Sequence, residues 1–135
     1  MEPRSSGVGV IIPNMVNFGP LNTVPEKFKD RKFYPHNPTV TLMRTTVAEN
    51  RKLGEEIGRK VAVATGPTCI MIPLKGVSAI DQPAKAFDDP AARQALYDGI
   101  RATHGSVQII ELDYHINDGG FAEEAAKRLL EMIRN

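Results

Sequence analysis

The strongest constraint on the fold is a continuous apolar run, Thr68 to Leu74, that lies between two segments with helical periodicity. The run lacks the alternation of a half-exposed strand, so it predicts a central parallel strand buried on both faces. A second apolar run, Val107 to Leu112, follows the next helical segment. The resulting order of strand, helix, strand and helix predicts an α/β fold built from βαβ units around a parallel sheet.

The first helix is predicted by its capping residues. Thr46 is followed three residues later by Glu49, which matches a capping box at a helix start. Gly54 and Gly58 lie on one line of this helix. Since each glycine weakens a helix by up to about 1 kcal/mol, their spacing predicts close approach to a flat partner, such as a sheet.

Two more helices are predicted further along the chain. Asp88 or Asp89, followed by Pro90, supplies a cap and a first-turn proline, so a helix is expected to run to about Thr103. Asp118 is expected to cap the last helix. The apolar stripe of that helix comprises Ala122, Ala125, Ala126, Leu129, Leu130 and Ile133.

The N-terminal third is rich in proline and asparagine, which predicts turns around short extended pieces. Two short strands are expected there, at Val8 to Ile12 and Arg31 to Tyr34. We therefore assign residues 1–14 to an N-terminal extension or first strand, and residues 15–135 to one portion of an α/β domain.

Charge and cysteine content limit the partners. Lys and Arg total 17 against 16 for Asp and Glu, so no long-range field favours nucleic acid or an anionic membrane surface. No apolar stretch reaches the roughly 20 residues of a membrane span, and no secretory signal is evident. The single cysteine, Cys69, lies inside the apolar run. These features favour the cytoplasm, with no nucleic-acid or membrane partner.

The candidate site residues follow the predicted strands. Ligands of parallel α/β sheets collect at the carboxyl ends of the strands, where helix N-termini also point. Three groups of polar residues fall there, and a fourth precedes the first long helix. The groups are His36 and Asn37; Lys75, Gly76, Ser78 and Asp81; Asp113, His115, Asn117 and Asp118; and Arg44, Thr45 and Thr46.

Two interpretations of the His115 cluster stay open. With Asp113 or Asp118, the imidazole has the spacing of a catalytic acid-base pair, but the same residues also suit a hydrogen-bonded turn. Arg44 is the best single candidate for a bidentate contact to a carboxylate or phosphate. We expect no metal, because too few ligands converge on this edge.

Several longer motifs carry a family resemblance. The stretch from Met15 to Thr46, which includes NFGP, VPEKF, HNP and TLMRTT, is similar to the Tm-1-like ATP-binding family, typified by the tomato mosaic virus resistance protein. GVSAID at Gly76 to Asp81 and HIND at His115 to Asp118 add to the similarity, which covers nearly the whole chain from Met15.

The resemblance implies a fold and a ligand. Members are expected to have Rossmann-like, three-layer α/β domains, to bind ATP and, in the plant protein, to engage a viral replication protein. The chain matches only the C-terminal part of the family, so we expect an incomplete domain that relies on a missing N-terminal domain or on a homo-oligomer.

Three functions follow as alternatives. The first is a non-catalytic nucleotide-binding or regulatory module with ATP as its ligand. The second is an enzyme that acts on a small anionic metabolite through the His/Asp pair. The third is a structural assembly partner.

Overall fold

A computed structural model gives the structure of the chain over residues 6–134. This range contains an antiparallel sheet, a parallel pair of strands and three α-helices. The chain is therefore a mixed α/β protein. In chain order the elements are β1 (Met15–Phe18), β2 (Phe33–Asn37), β3 (Val40–Arg44), α1 (Val47–Ala62), β4 (Cys69–Pro73), α2 (Pro90–Thr103), β5 (Gln108–Leu112) and α3 (Gly119–Arg134).

The N-terminal third forms an antiparallel sheet with the order β1-β3-β2. The strand predicted at Arg31 to Tyr34 begins instead at Phe33 and continues through Pro35 to Asn37. A proline is tolerated there because β2 lies at the edge of the sheet and that residue need not donate to a ladder. The strand predicted at Val8 to Ile12 is not formed in this structure, where the segment has no regular secondary structure and is exposed to solvent.

The two predicted apolar strands pair in parallel, with Cys69 opposite Gln108 and Pro73 opposite Leu112. Their existence and direction are confirmed. In this structure β4 is an edge strand rather than the predicted central strand buried on both faces, since within residues 6–134 it pairs only with β5 and its first three residues are half-buried.

Helices α1 and α2 cover one face of this parallel pair. The buried cluster of Ile72, Val77, Leu96, Tyr97 and Ile100 is joined by Leu53, Ile57, Ile70 and Ile109. The Tyr97 hydroxyl donates to the Pro73 carbonyl at 2.6 Å, and burial raises the pKa of this phenol to about 12. Both helices therefore share one apolar core with β4 and β5.

The predicted helix starts at α1 and α2 are confirmed. The Glu49 amide donates to Thr46 Oγ1 at 3.2 Å, and the Thr46 amide donates to the Glu49 carboxylate at 2.9 Å. At α2, the Asp89 carboxylate accepts from the Ala92 amide at 3.0 Å, with Pro90 in the first turn. Both caps depend on residues close together in the chain.

Asp118 directly precedes α3, as predicted, but its side chain bonds to another group instead of capping the helix. The Asp118 carboxylate accepts a hydrogen bond from the His115 amide at 2.8 Å, while the Asp118 carbonyl accepts from the amides of Phe121 and Ala122. The predicted apolar stripe is also not fully covered, because Leu130 and Ile133 are about half exposed. None of the helices in residues 6–134 is both long enough and apolar enough to cross a bilayer.

The partner predicted for the glycine line of α1 was wrong. Gly54 and Gly58 approach α2 rather than a sheet. A Cβ at Gly54 would collide with the Leu96 carbonyl oxygen and lie 3.1 Å from the Gly99 Cα. The two helix backbones therefore cross in direct contact, which only residues without side chains permit.

We predict that Gly54→Ala destabilises the chain although alanine is the better helix former. The collision is with backbone, which cannot rotate away, so the helices must separate and overpacking of this kind costs roughly 1–3 kcal/mol. Urea denaturation should show the loss in the free energy of unfolding. Gly66→Ala is the control, since a Cβ there meets nothing within 4 Å. Equal stability of the two variants would contradict the close crossing.

Candidate functional site

Polar side chains from five separate segments meet at one end of the structure, beyond the carboxyl ends of β4 and β5. They are buried, and we call them the polar network. Its members are Asn14, Arg44, Thr45, Asn50, Ser78, Asp81, Arg93 and His115. The motifs TLMRTT, GVSAID and HIND each contribute at least one residue, so segments distant in sequence come together here.

The Asp81 carboxylate is the centre of the network. Its Oδ1 accepts from Arg93 at 2.7 Å and lies 3.4 Å from a guanidinium nitrogen of Arg44. Arg93 also donates to Asp88 at 2.9 Å. Burial alone would lower the pKa of Arg93, but the hydrogen bonds to the two carboxylates raise it overall. The charges therefore compensate one another inside the protein.

Arg44 is bonded entirely within the chain. Besides Asp81, its guanidinium donates to the carbonyls of Phe87 at 3.1 Å and Asn14 at 3.2 Å, and to the Thr45 hydroxyl at 3.3 Å. Burial lowers the pKa of Arg44, and the Asp81 charge opposes that shift. Arg44 therefore links β3 to the segment between β4 and α2, which contains Asp81 and Phe87. The hydrogen bonds named here use its donors on groups of the protein itself.

His115 is fixed by two backbone groups. Its Nδ1 is 3.1 Å from the Asn117 amide and its Nε2 is 2.7 Å from the Ser78 carbonyl. An amide can only donate and a carbonyl can only accept, so the ring carries its proton on Nε2. Neither carboxylate proposed as its partner contacts the ring, because Asp118 accepts from the His115 backbone and Asp113 pairs with Lys75 at the surface, 3.6 Å away.

Gly76 allows the turn that brings these groups together. Its φ of +136° lies in a region that favours glycine, and a Cβ there would collide with the Asp81 carbonyl oxygen and approach the His115 ring to 2.8 Å. The loop after β4 can therefore press directly against the loop after β5.

Three atoms of the network retain unused hydrogen-bonding capacity. Among residues 6–134, Asn14 Oδ1, Asn50 Nδ2 and Asp81 Oδ2 are buried without a hydrogen-bond partner. Leaving a buried polar atom unpaired costs about 1–3 kcal/mol. Such a concentration of unpaired atoms is unusual in a region that serves packing alone.

A cleft of about 420 Å³ opens beside the network. The cleft is lined by three charged side chains and the imidazole of His115. The charged residues are Lys75, Arg93 and Asp118, and the remaining lining residues are Leu74, Gln82 and Pro83. The cleft follows β4 and β5 at their carboxyl ends, where the sheet rule places ligands. Its lining therefore contains two cationic side chains and one carboxylate.

The other candidate residues lie in different places. His36 and Asn37 are exposed at the β2-β3 hairpin, where the Asn37 side chain accepts from the Thr39 amide. Arg44 is at the opposite end of β3, four residues and therefore about 13 Å from the turn. Thr46 serves as the α1 cap, and Asn117 contributes its backbone amide.

Asn14, Asn50 and Arg93 were not among the predicted site residues. Asn14 lies 64 residues from its partner Ser78, and a contact of that range leaves no local signal. Arg93 lies in the first turn of α2, the helix that begins directly after Asp88 and Asp89, and that charge pattern is the one sequence signal for it. Within residues 6–134, no group of three His, Cys, Asp or Glu side chains is arranged to hold a metal ion.

Several known proteins are similar in sequence to this chain. Residues 8–133 match the C-terminal domain of the uncharacterised protein family UPF0261. A UPF0261 protein of Clostridium tetani is 48% identical over 122 residues, which cover 89% of this chain and 30% of that protein. The ToMV resistance protein Tm-1(GCR237) of Solanum lycopersicum is 43% identical over 133 residues, covering 96% of this chain and 17% of that protein.

A UPF0261 protein of Mesorhizobium japonicum is 42% identical over 127 residues, which cover 92% of this chain and 32% of that protein. The chain thus spans about a third or less of the length of these relatives. The predicted resemblance is confirmed: the chain is similar to the tomato Tm-1 proteins, and it belongs to the UPF0261 family.

Proposed function

We propose that this chain binds a small anionic ligand, with ATP as the first candidate, in the cleft at the carboxyl ends of β4 and β5. The observation that carries the proposal is the convergence of Lys75, Arg93 and His115 on this one cleft. Cations beside a parallel strand end suit a phosphate or carboxylate group. The similarity to the Tm-1-like family directs the choice of ATP.

The polar network supports this role by holding the wall of the cleft. Arg93 lines the cleft and is fixed from behind by Asp81 and Asp88. His115 also lines it and is fixed by Ser78 and Asn117. Side chains that are already ordered lose little conformational entropy when a ligand binds. The cleft therefore has the rigidity that a binding site needs.

A binding role fits the geometry better than a catalytic one. The alternative enzyme needs a His115 nitrogen that exchanges a proton with its substrate, yet both ring nitrogens are engaged by backbone groups at 2.7 and 3.1 Å. Neither Asp113 nor Asp118 contacts the ring to assist such a transfer. We therefore propose a non-catalytic module in which His115 is a positioning residue.

The same proposal extends to the surroundings of the module. We propose that β4 and β5 belong to the parallel sheet of a Rossmann-like, three-layer domain, and that the protein acts in the cytoplasm. The parallel pairing of β4 with β5 and the packing of α1 and α2 on one face support the domain assignment. The single cysteine and near-neutral charge of the sequence support the compartment.

We predict that Lys75→Ala weakens ATP binding by the full chain at least about tenfold, since a hydrogen bond to a charged group contributes about 1.5–3 kcal/mol. Isothermal titration calorimetry with ATP measures the affinity, and inorganic phosphate as competitor identifies the group that is recognised. Lys60→Ala is the matched control, because Lys60 is exposed on α1 and forms a surface salt bridge with Glu56.

Equal affinity of the Lys75 variant and the wild-type chain would contradict the placement of the ligand in this cleft. A folded wild-type chain that releases no heat with ATP would contradict ATP binding by the chain itself. Binding that is lost equally in the Lys60 variant would indicate a general charge effect.

We predict that His115→Ala lowers the free energy of unfolding by on the order of 2 kcal/mol, because the Ser78 carbonyl and the Asn117 amide lose their partner. Guanidinium denaturation monitored by circular dichroism measures this change. His36→Ala, at an exposed hairpin, is the control and should stay within about 0.5 kcal/mol of wild type. If His115→Ala kept full stability and removed a pH-dependent ATP turnover, the catalytic alternative would be correct.

A further inference from the structure

One edge of β4 is open. β4 pairs with β5 along its other edge, and within residues 6–134 no second strand joins it. The Leu74 amide donates to the Leu112 carbonyl at 2.9 Å. Since alternate residues of a strand direct their backbone groups to opposite sides, the amides and carbonyls of Cys69 and Met71 point to the open edge. Such an edge is a template for one more strand.

An apolar cleft of about 1010 Å³ lies beside that edge. Ile57 and Val61 of α1 line it, and so do Ala125 and Leu129 of α3. Ile70 and Ile72 of β4 face the core shared with α1 and α2, so the alternate side chains of β4 point to the other face.

The second face of β4 is the one nearer to α3. Burial raises the pKa of the Cys69 thiol, and the charge of Arg128 on α3 opposes this shift. Cys69 and Arg128 also line the same apolar cleft. The cleft consequently occupies the space in which the sheet would continue, between a helix on one face and a helix on the other.

The segment Val8 to Ile12 has the composition of a buried strand but is not buried. Val8, Val10, Ile11 and Ile12 are between 49% and 64% exposed. Residues 6–11 and Pro13 line the same apolar cleft as β4. An apolar segment whose side chains are about half exposed therefore lies at the edge of the apolar cleft.

The carboxyl end of this segment is already fixed beside the end of β4. The Asn14 side-chain amide donates to the Ser78 hydroxyl at 2.8 Å, and the Asn14 backbone carbonyl accepts from the Thr45 backbone amide at 3.1 Å. The Thr45 hydroxyl also donates to the Pro13 carbonyl at 3.2 Å. Ser78 follows β4, so a strand that extends back from Asn14 along β4 runs parallel to it.

The handedness of crossovers selects the edge. Parallel strands in one sheet are joined by right-handed connections in about 98% of cases. The helices α1 and α2 lie on the same face, so the connection through α1 must step in the same direction across the sheet as the connection through α2. The strand before α1 therefore belongs on the open edge of β4, away from β5.

We propose that the open edge of β4 is a strand-acceptor site, and that Val8 to Ile12 of the same chain docks there as a third parallel strand. The sheet then has the order Val8 to Ile12, β4, β5. Val8 to Ile12 and β4 each comprise five residues, and alignment of their first residues places Val8 opposite Cys69. Docking covers the apolar cleft and joins α1 to α3 through a common sheet layer.

The native cysteine allows a direct test. Neighbouring strands lie about 4.7–4.9 Å apart, inside the Cα separation of about 4.4–6.8 Å that a disulfide needs. Cys69 is the only cysteine, so Val8→Cys creates one defined pair in the full chain. Gly9→Cys covers a register shift of one residue. Leu21→Cys places a thiol on an exposed turn outside the cleft and is the control.

Under mild oxidation, we expect Val8→Cys or Gly9→Cys to lose both free thiols in a monomer, while Leu21→Cys keeps them. Non-reducing electrophoresis and thiol titration measure both quantities. A disulfide-linked dimer would overturn the proposal, because a second copy would then supply the strand. Free thiols in both docking variants at the level of Leu21→Cys would also overturn it.

Discussion

The buried carboxylate of Asp81 joins the two parts of this structure. Arg44 reaches it from the end of the antiparallel sheet, and Arg93 reaches it from the first turn of α2. Removing one partner of a buried ion pair costs about 3–5 kcal/mol, because the remaining charge is left without compensation. The shared carboxylate therefore fixes the antiparallel sheet relative to the helices, and the loops between them follow from that geometry.

This constraint also explains why the cleft has a fixed wall. Asp81 belongs to the tight loop after β4, and Gly76 in the same loop lets that backbone approach His115 closely. His115 in turn holds the Ser78 carbonyl. A ligand in the cleft would meet side chains whose positions are set by neighbours rather than by the ligand. Such an arrangement favours recognition of one shape and charge over adaptation to many.

The sequence predicted those parts of the fold that depend on nearby residues. The Thr46 and Asp89 caps and the two parallel strands are confirmed because capping and apolar runs act within a few positions. The glycine line of α1 predicted a close approach but not its partner, since a surface without side chains suits a helix as well as a sheet. The identity of the partner was decided by Gly99, 45 positions beyond Gly54, which no local pattern specifies.

The candidate site was predicted in part for a similar reason. The strand-end rule selected Ser78, Asp81 and His115, and the start of the first helix added Arg44; the structure places all four in one network. It misplaced His36, because the rule assumes parallel strands and β2 pairs antiparallel with β3. The strand-end rule finds a sheet edge, but it does not tell whether a polar side chain there faces a ligand or another protein group.

Pro13 and Asn14 connect the polar network to the apolar cleft, and their position makes strand docking at β4 a finely balanced event. With that end fixed, docking orders a short segment at about 1–2 kcal/mol per residue. Full burial of each valine or isoleucine contributes about 1.5–3 kcal/mol in return, and less where the side chain is already half covered. The two terms nearly cancel, so the backbone hydrogen bonds along β4 decide the balance. Any group that tightens the network around Asn14 fixes the end of the strand more firmly and shifts this equilibrium towards the docked state.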